Sequence, residues 1–116
     1  MSNVNDNILE SIKKLHGIAP EDDSFDPDIT MFINAALLGL TQIGVGDETG
    51  FCIESGDEVW SDFVDDKIIN ESVRTLVYIK VRLVFDPPAS QTIIAALKAT
   101  GDECEWRIKH WIERSV

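Results

Sequence analysis

Residues 24–44 read SFDPDITMFINAALLGLTQIG, and they decide the fold class. Asp26 can accept N–H bonds as an N-cap, and Pro27 suits the first helical position. Asp28 adds negative charge at the positive end of the helix dipole. Ile29, Phe32, Ile33, Ala36, Leu37, Leu40 and Ile43 then recur at helical spacing as a broad apolar stripe. Gly44 ends the segment. Ala35, Ala36 and Gly39 are small, so another helix can come close here.

Three more helices are expected around this one. The first runs from about Asn5 to His16, with Ile8, Leu9, Ile12 and Leu15 on one face. Gly17 follows it, and Lys13, Lys14 and His16 suit its carbonyl end. The third runs from about Asp66 to Phe85, with Ile68, Ile69, Val73, Leu76, Val77, Lys80, Val81 and Val84 marking its stripe and edges. Leu83 and Phe85 make its end apolar nearly all round, which predicts a central position. Asp86-Pro87-Pro88 stops it, because a residue before proline is pushed out of the α region. The fourth starts near Pro88 to Ser90 and continues to about Arg114. Ile93, Ile94, Leu97, Cys104, Ile108, Trp111 and Ile112 fit its apolar face. Gly101 is a weak point where that helix is expected to bend or fray.

Between the second and third helices, Val45 to Phe63 breaks the helical period. Gly46, Gly50 and Gly56 punctuate it, and Phe51/Ile53 and Val59/Trp60 flank the Glu54-Ser55-Gly56-Asp57 turn. A short hairpin or an ordered loop is expected. Trp60 and Phe63 read as cover for the core rather than as anchors for a partner. The fold class is therefore all-α: one compact bundle of about four helices.

Charge is distributed unevenly over this bundle. From Leu15 to Asp66 there is no lysine or arginine, yet 13 of the 21 acidic residues lie there. Such a surface cannot grip phosphates through side-chain ion pairs. It repels a polyanion or docks on a basic surface; the plainer reading is a solvated face that keeps a small protein soluble. A net charge of −11 on 116 residues argues against general nucleic-acid or membrane-surface binding. No apolar run approaches the ~20 residues that span a bilayer. The start, MSNVNDNILESIKK, does not read as a signal peptide. Cys52 and Cys104 fit no zinc or redox spacing and read as free thiols in a reducing cytoplasm, bridged only if the fold brings them together.

Catalytic constellations are missing. The two histidines, His16 and His110, stand far apart, and no HExxH, CxxC, GxSxG, P-loop or GxGxxG occurs. Gly44-Val45-Gly46 lacks the glycine and helix start that cradle phosphate. Glu21-Asp22-Asp23 with Asp26 and Asp28 has loose calcium-ligand spacing but lacks the glycine and terminal glutamate of an EF-hand loop. No enzyme, cofactor or metal site is expected. The last fifteen residues instead concentrate anchor-type side chains: two of the three tryptophans and three of the ten basic residues. Trp106 and Trp111 are five positions apart, so they point about 140° apart on a helix. Both cannot sit at the centre of one core face. The alternative is that both pack into the bundle while Arg107, Lys109 and Arg114 sit in solvent.

Several stretches together resemble a known family. They are Ile8-Leu9-Glu10-Ser11-Ile12-Lys13-Lys14-Leu15, Asp26-Pro27-Asp28-Ile29 and Leu40-Thr41-Gln42-Ile43-Gly44-Val45-Gly46. They continue with Val59-Trp60-Ser61-Asp62-Phe63, the Val81-Arg82-Leu83-Val84-Phe85-Asp86-Pro87-Pro88 break and Glu105-Trp106-Arg107-Ile108. In order and spacing this set is similar to the head–tail connector proteins of tailed phages, small head-completion or DNA-packaging adaptors. The chain departs from that pattern at Ala99-Thr100-Gly101-Asp102, where a continuous helix former is expected.

The resemblance implies a single connector domain over residues 1–116 that assembles as a homo-oligomer ring, commonly a dodecamer, under the portal. The ring extends the DNA channel and offers a platform to the next neck or tail-completion protein. DNA passes without sequence-specific binding. Residues 102–116 are the expected portal-docking segment, with Trp106, Arg107, His110, Trp111 and Arg114 as the contact set. Glu21, Asp22, Asp23, Asp47, Glu48, Glu54, Asp57 and Glu58 are expected to face the channel or a basic neighbour. The protein would be made in the host cytoplasm and reside in the virion neck, with no membrane partner and no cofactor. A different class remains as the alternative: an acidic nucleic-acid mimic that inhibits a DNA-binding protein.

Overall fold

The computed structural model describes residues 6–115, and for Ser115 the backbone alone. Five helices follow one another: α1 (Ile8–Leu15), α2 (Asp26–Gln42), a single turn α3 (Trp60–Phe63), α4 (Lys67–Phe85) and α5 (Gln91–Ser115). Among the described residues there is no strand, only an isolated antiparallel bridge between Asn7 and Val59. The fold is all-α.

α4 is the middle layer, packed against α2 on one side and α5 on the other. Its core row is Ile69, Val73, Val77 and Val81, all buried. This apolar row meets Ile29, Ile33, Ala36, Leu37 and Leu40 of α2 within one continuous core. Asp66 caps α4 by accepting N–H bonds from Ile68 and Ile69 at 2.9 and 3.2 Å. Ile68 falls off the row, whereas Val84, seven residues on from Val77, continues it at the very end of α4; both are exposed, against the sequence reading. Leu15 and Ile93, also expected inside, are more than half exposed.

Two local readings are corrected. Asp26 is the first residue of α2 and not its N-cap; Phe25 holds that position with no side-chain cap. The reason is Lys13, whose side chain is only 2% exposed. Its ammonium lies 2.8 Å from the Asp26 carboxylate and donates to the Pro20 carbonyl at 3.2 Å. A buried cation without its counter-charge costs several kcal/mol, so Asp26 is drawn to Lys13 rather than to the helix amides. Gly101, expected to bend or fray the last helix, lies buried inside an uninterrupted α5. A Cβ built there would stand 3.5 Å from Ile79 and 3.7 Å from Leu76, so α5 lies close on α4 at this point.

The first helix begins at Ile8, with Asn7 as N-cap accepting from the Glu10 amide at 2.9 Å; the expected start at Asn5 lies outside the described residues. Residues 45–59 form an ordered loop and not a hairpin. It is tied to α1 by Ile8 N–H to the Glu58 carbonyl and Trp60 N–H to the Asp6 carbonyl, at 3.0 and 3.1 Å. It is tied to α2 by Asn34, which donates to the Ile53 carbonyl and accepts from its amide at 3.0 and 2.8 Å. Trp60 is fully buried and donates from Nε1 to Ser11 Oγ at 2.9 Å; Phe63 is buried beside it. Both are core, as their surroundings in the sequence suggested.

Candidate functional site

α5 divides its side chains between two opposite faces. Gly101, Cys104 and Ile108 are buried against α4, and Trp111 and Ile112 pack half-buried on the core. Roughly half a turn round the helix, Trp106, Arg107, His110 and Arg114 are exposed, with Trp106 65% open to solvent. The 140° between the two tryptophans is realised in this way: Trp111 turns inward and Trp106 outward. Four of the five expected contact residues therefore share the outer face, and Trp111 does not join them.

The outer face is partly preorganised. The Trp106 and His110 rings stack with centroids 5.2 Å apart and planes 3° from parallel. Arg107 reaches Glu103 at 3.8 Å and Lys109 reaches Glu105 at 3.5 Å, each one turn along the helix. Pairs this exposed contribute little stability, so both cations remain available to a partner. Arg114 has no ion pair among the described residues. An exposed indole braced by a parallel imidazole, on a helix face that also carries two guanidiniums, is a ready anchor for an apolar and acidic pocket.

The acidic residues form two separate groups. Glu21, Asp22 and Asp23 precede α2, and Asp47 and Glu48 follow it; all five are exposed. The 17 residues of α2 hold them about 25 Å apart. Several carboxylates are used locally. Asp22 accepts from Ser24 N–H and Oγ, and Asp47 from Thr49 N–H and Oγ. These bonds hold both carboxyls below the usual range. Glu54 and Asp57 are exposed. Glu58 is half-buried and turned onto the backbone, accepting the Glu54, Ser55 and Gly56 amides at 2.8, 3.2 and 3.0 Å. Those amides pull its pKa down to about 2.

Cys52 is exposed and Cys104 buried, and both thiols are free. Among the described residues no group of three or more His, Cys, Asp or Glu side chains is placed to hold a metal ion, and no helix is long and apolar enough to cross a membrane.

Two features lie outside the sequence reading. An aromatic cluster joins the ends of α1, α2 and α4: His16 stands edge-on to Tyr78 and Phe85 at 5.2 and 5.8 Å, and Phe25 meets Phe85 at 5.5 Å. Sequence carries no signal for it, because its members come from three separate segments. The second is the outer face of α2. Met31 and Leu38 are 58% and 54% exposed, with exposed Ala35 between them. Their i, i+4, i+7 spacing was visible as a second stripe opposite the first.

Comparison with known proteins places the chain in a family. No curated protein and no solved structure matches the chain significantly. A family model described as phage connector protein matches residues 8–115, from the first residue of α1 to the last of α5. Spanning every helix described above, that match shows that the chain belongs to the phage connector protein family.

Proposed function

We propose that this connector is a structural, non-enzymatic adaptor of the virion neck. It forms a ring under the portal, commonly a dodecamer in the family resemblance, extends the DNA channel, and joins the filled head to the tail or next neck protein. Its outer α5 face docks on the portal. The observation that carries this reading is Trp106: a fully formed helix holds a large indole 65% exposed, stacked on His110, with Arg107 next to it and Arg114 one turn beyond His110. Burying such a side chain in a partner pocket gains ~25 cal/mol per Å² of apolar area. Trp111 contributes indirectly by seating the helix on the core. The exposed acids Glu21, Asp22, Asp23, Asp47, Glu48, Glu54 and Asp57 face the channel or a basic neighbour, where they keep DNA moving without adhesion. Family membership supports this role over the acidic-mimic alternative.

Deleting the tail would not test docking cleanly, because Cys104 and Ile108 are core residues at 2% and 0% exposure. Surface substitutions do. Trp106→Ala and Arg114→Glu are expected to leave the helical spectrum and melting temperature unchanged. Binding to portal-containing heads should weaken about thirtyfold for Trp106→Ala, the equivalent of the roughly 2 kcal/mol typical of a tryptophan anchor. Wild-type binding by both variants would show that α5 is not the portal anchor.

A further inference from the structure

α2 carries a second apolar stripe that its own subunit leaves uncovered. Met31, Ala35 and Leu38 are exposed, roughly opposite the buried Ile33, Leu37 and Leu40. Beside them Asn34, Thr49, Gly50, Phe51 and Cys52 complete a shallow groove of about 490 Å³. A helix that is apolar on both sides is normally buried on both sides. The rim of this groove is acidic: Asp47 and Glu48 precede Thr49, and Glu54 Oε1 lies 3.7 Å from the Cys52 sulfur.

The charge of the chain selects what covers it. Residues 1–66 carry 15 acidic and 2 basic side chains, whereas residues 67–116 carry 6 and 8. Two copies meeting α2 to α2 would bring acidic rims together and set protruding Met31 and Leu38 against each other. Like-charge contact of that kind is strongly disfavoured. The opposite layer, α5, is not acidic: it balances four basic against four acidic side chains, and its first half, residues 91–101, carries Lys98 and no acid. Across α4, the first half of α5 exposes Ala95, Ala96 and Ala99, a low surface that admits protruding side chains. Lys98 beside them is exposed and has no ion pair among the described residues.

We infer that the Met31–Leu38 face of α2 packs on the Ala95–Ala99 face of α5 of a second copy, with Lys98 meeting the acidic rim. The inference rests on the ring reading above and names its subunit contact. Because the two faces differ and lie on opposite layers, the contact is head-to-tail. Such contacts generate rings when the rotation closes, whereas self-complementary ones stop at a dimer. It uses the first half of α5, about 10 Å along the same outer face from Trp106.

Cys52 offers a probe already in place, since it lies in the groove while Cys104 is buried. The full-length chain is treated with a short bis-maleimide at high protein concentration, as wild type, as Ala99→Cys and, one turn earlier, as Ala95→Cys. Wild type is expected to remain uncross-linked. At least one of the two variants is expected to give a ladder of trimers and larger species. Adding Leu38→Asp should reduce that ladder at least tenfold with the helical spectrum retained. Wild-type dimers through Cys52 would overturn the inference in favour of a self-complementary contact. Variants that stay monomeric or stop at dimers would overturn it outright. A ladder without binding to portal-containing heads defeats the docking reading alone, and head binding without a ladder defeats this inference alone.

Discussion

Glu58 shows how one side chain can set a loop. Its carboxylate accepts three consecutive amides of the Glu54–Gly56 turn, while its backbone carbonyl takes the Ile8 amide. The folded pKa is about 2 against an ordinary 4.5, so the ionised form favours the fold. That contribution is complete above about 4.5 and is lost as pH falls from there toward 2. Glu58→Gln is therefore expected to melt below wild type at neutral pH, by about 1–2 kcal/mol for weakened charge-assisted bonds. The two melting temperatures should converge as pH is lowered from about 4.5 toward 2, the window in which the carboxylate protonates. A gap that is constant with pH would show that the carboxylate charge does not hold the turn. The sequence revealed an acidic residue after a glycine turn but not that its side chain folds back. Neither did it reveal that Asp26 serves Lys13 instead of capping α2. Both choices depend on atoms brought from other segments.

At the scale of elements, two glycines make opposite predictions. Gly101 has ordinary helical backbone and enough room for a methyl group against Ile79 and Leu76. Gly101→Ala should stabilise the protein by roughly 0.5–1 kcal/mol through helix propensity. Gly46 has φ +76°, and a Cβ there would stand 3.0 Å from the Phe63 carbonyl oxygen and ring. Gly46→Ala should destabilise by about 1–3 kcal/mol, since strain and contact act together. Thermal melts of the two variants check both signs; a destabilised Gly101→Ala would mean that α4 and α5 cannot accommodate even one methyl. The existence and order of the four long helices were legible, because caps, prolines and apolar period all lie within each segment. The single turn α3 was not, since four residues carry too short a period.

On the scale of the whole molecule, the charge division governs behaviour toward DNA. Among residues 15–66 nothing can replace the counterions of a duplex. The free protein is expected to show no saturable binding to a labelled duplex at physiological salt, up to roughly 10⁻⁴ M, the weak end of non-specific DNA binding. Fluorescence anisotropy measures this directly. Tight, salt-sensitive binding would contradict the channel role proposed for the acidic groups.

The sequence by itself determined an all-α chain with a central α4, an acidic first half and an aromatic C-terminal helix of connector type. These properties are local: helix period, capping and net charge are set by neighbours along the chain. The tertiary structure decided which apolar side chains are left outside. Leu38 and Trp106 are as hydrophobic as Leu37 and Trp111, yet they face solvent, and so does Met31. Burial requires a second element on the other side, and α4 can cover only one face of α2 and one face of α5.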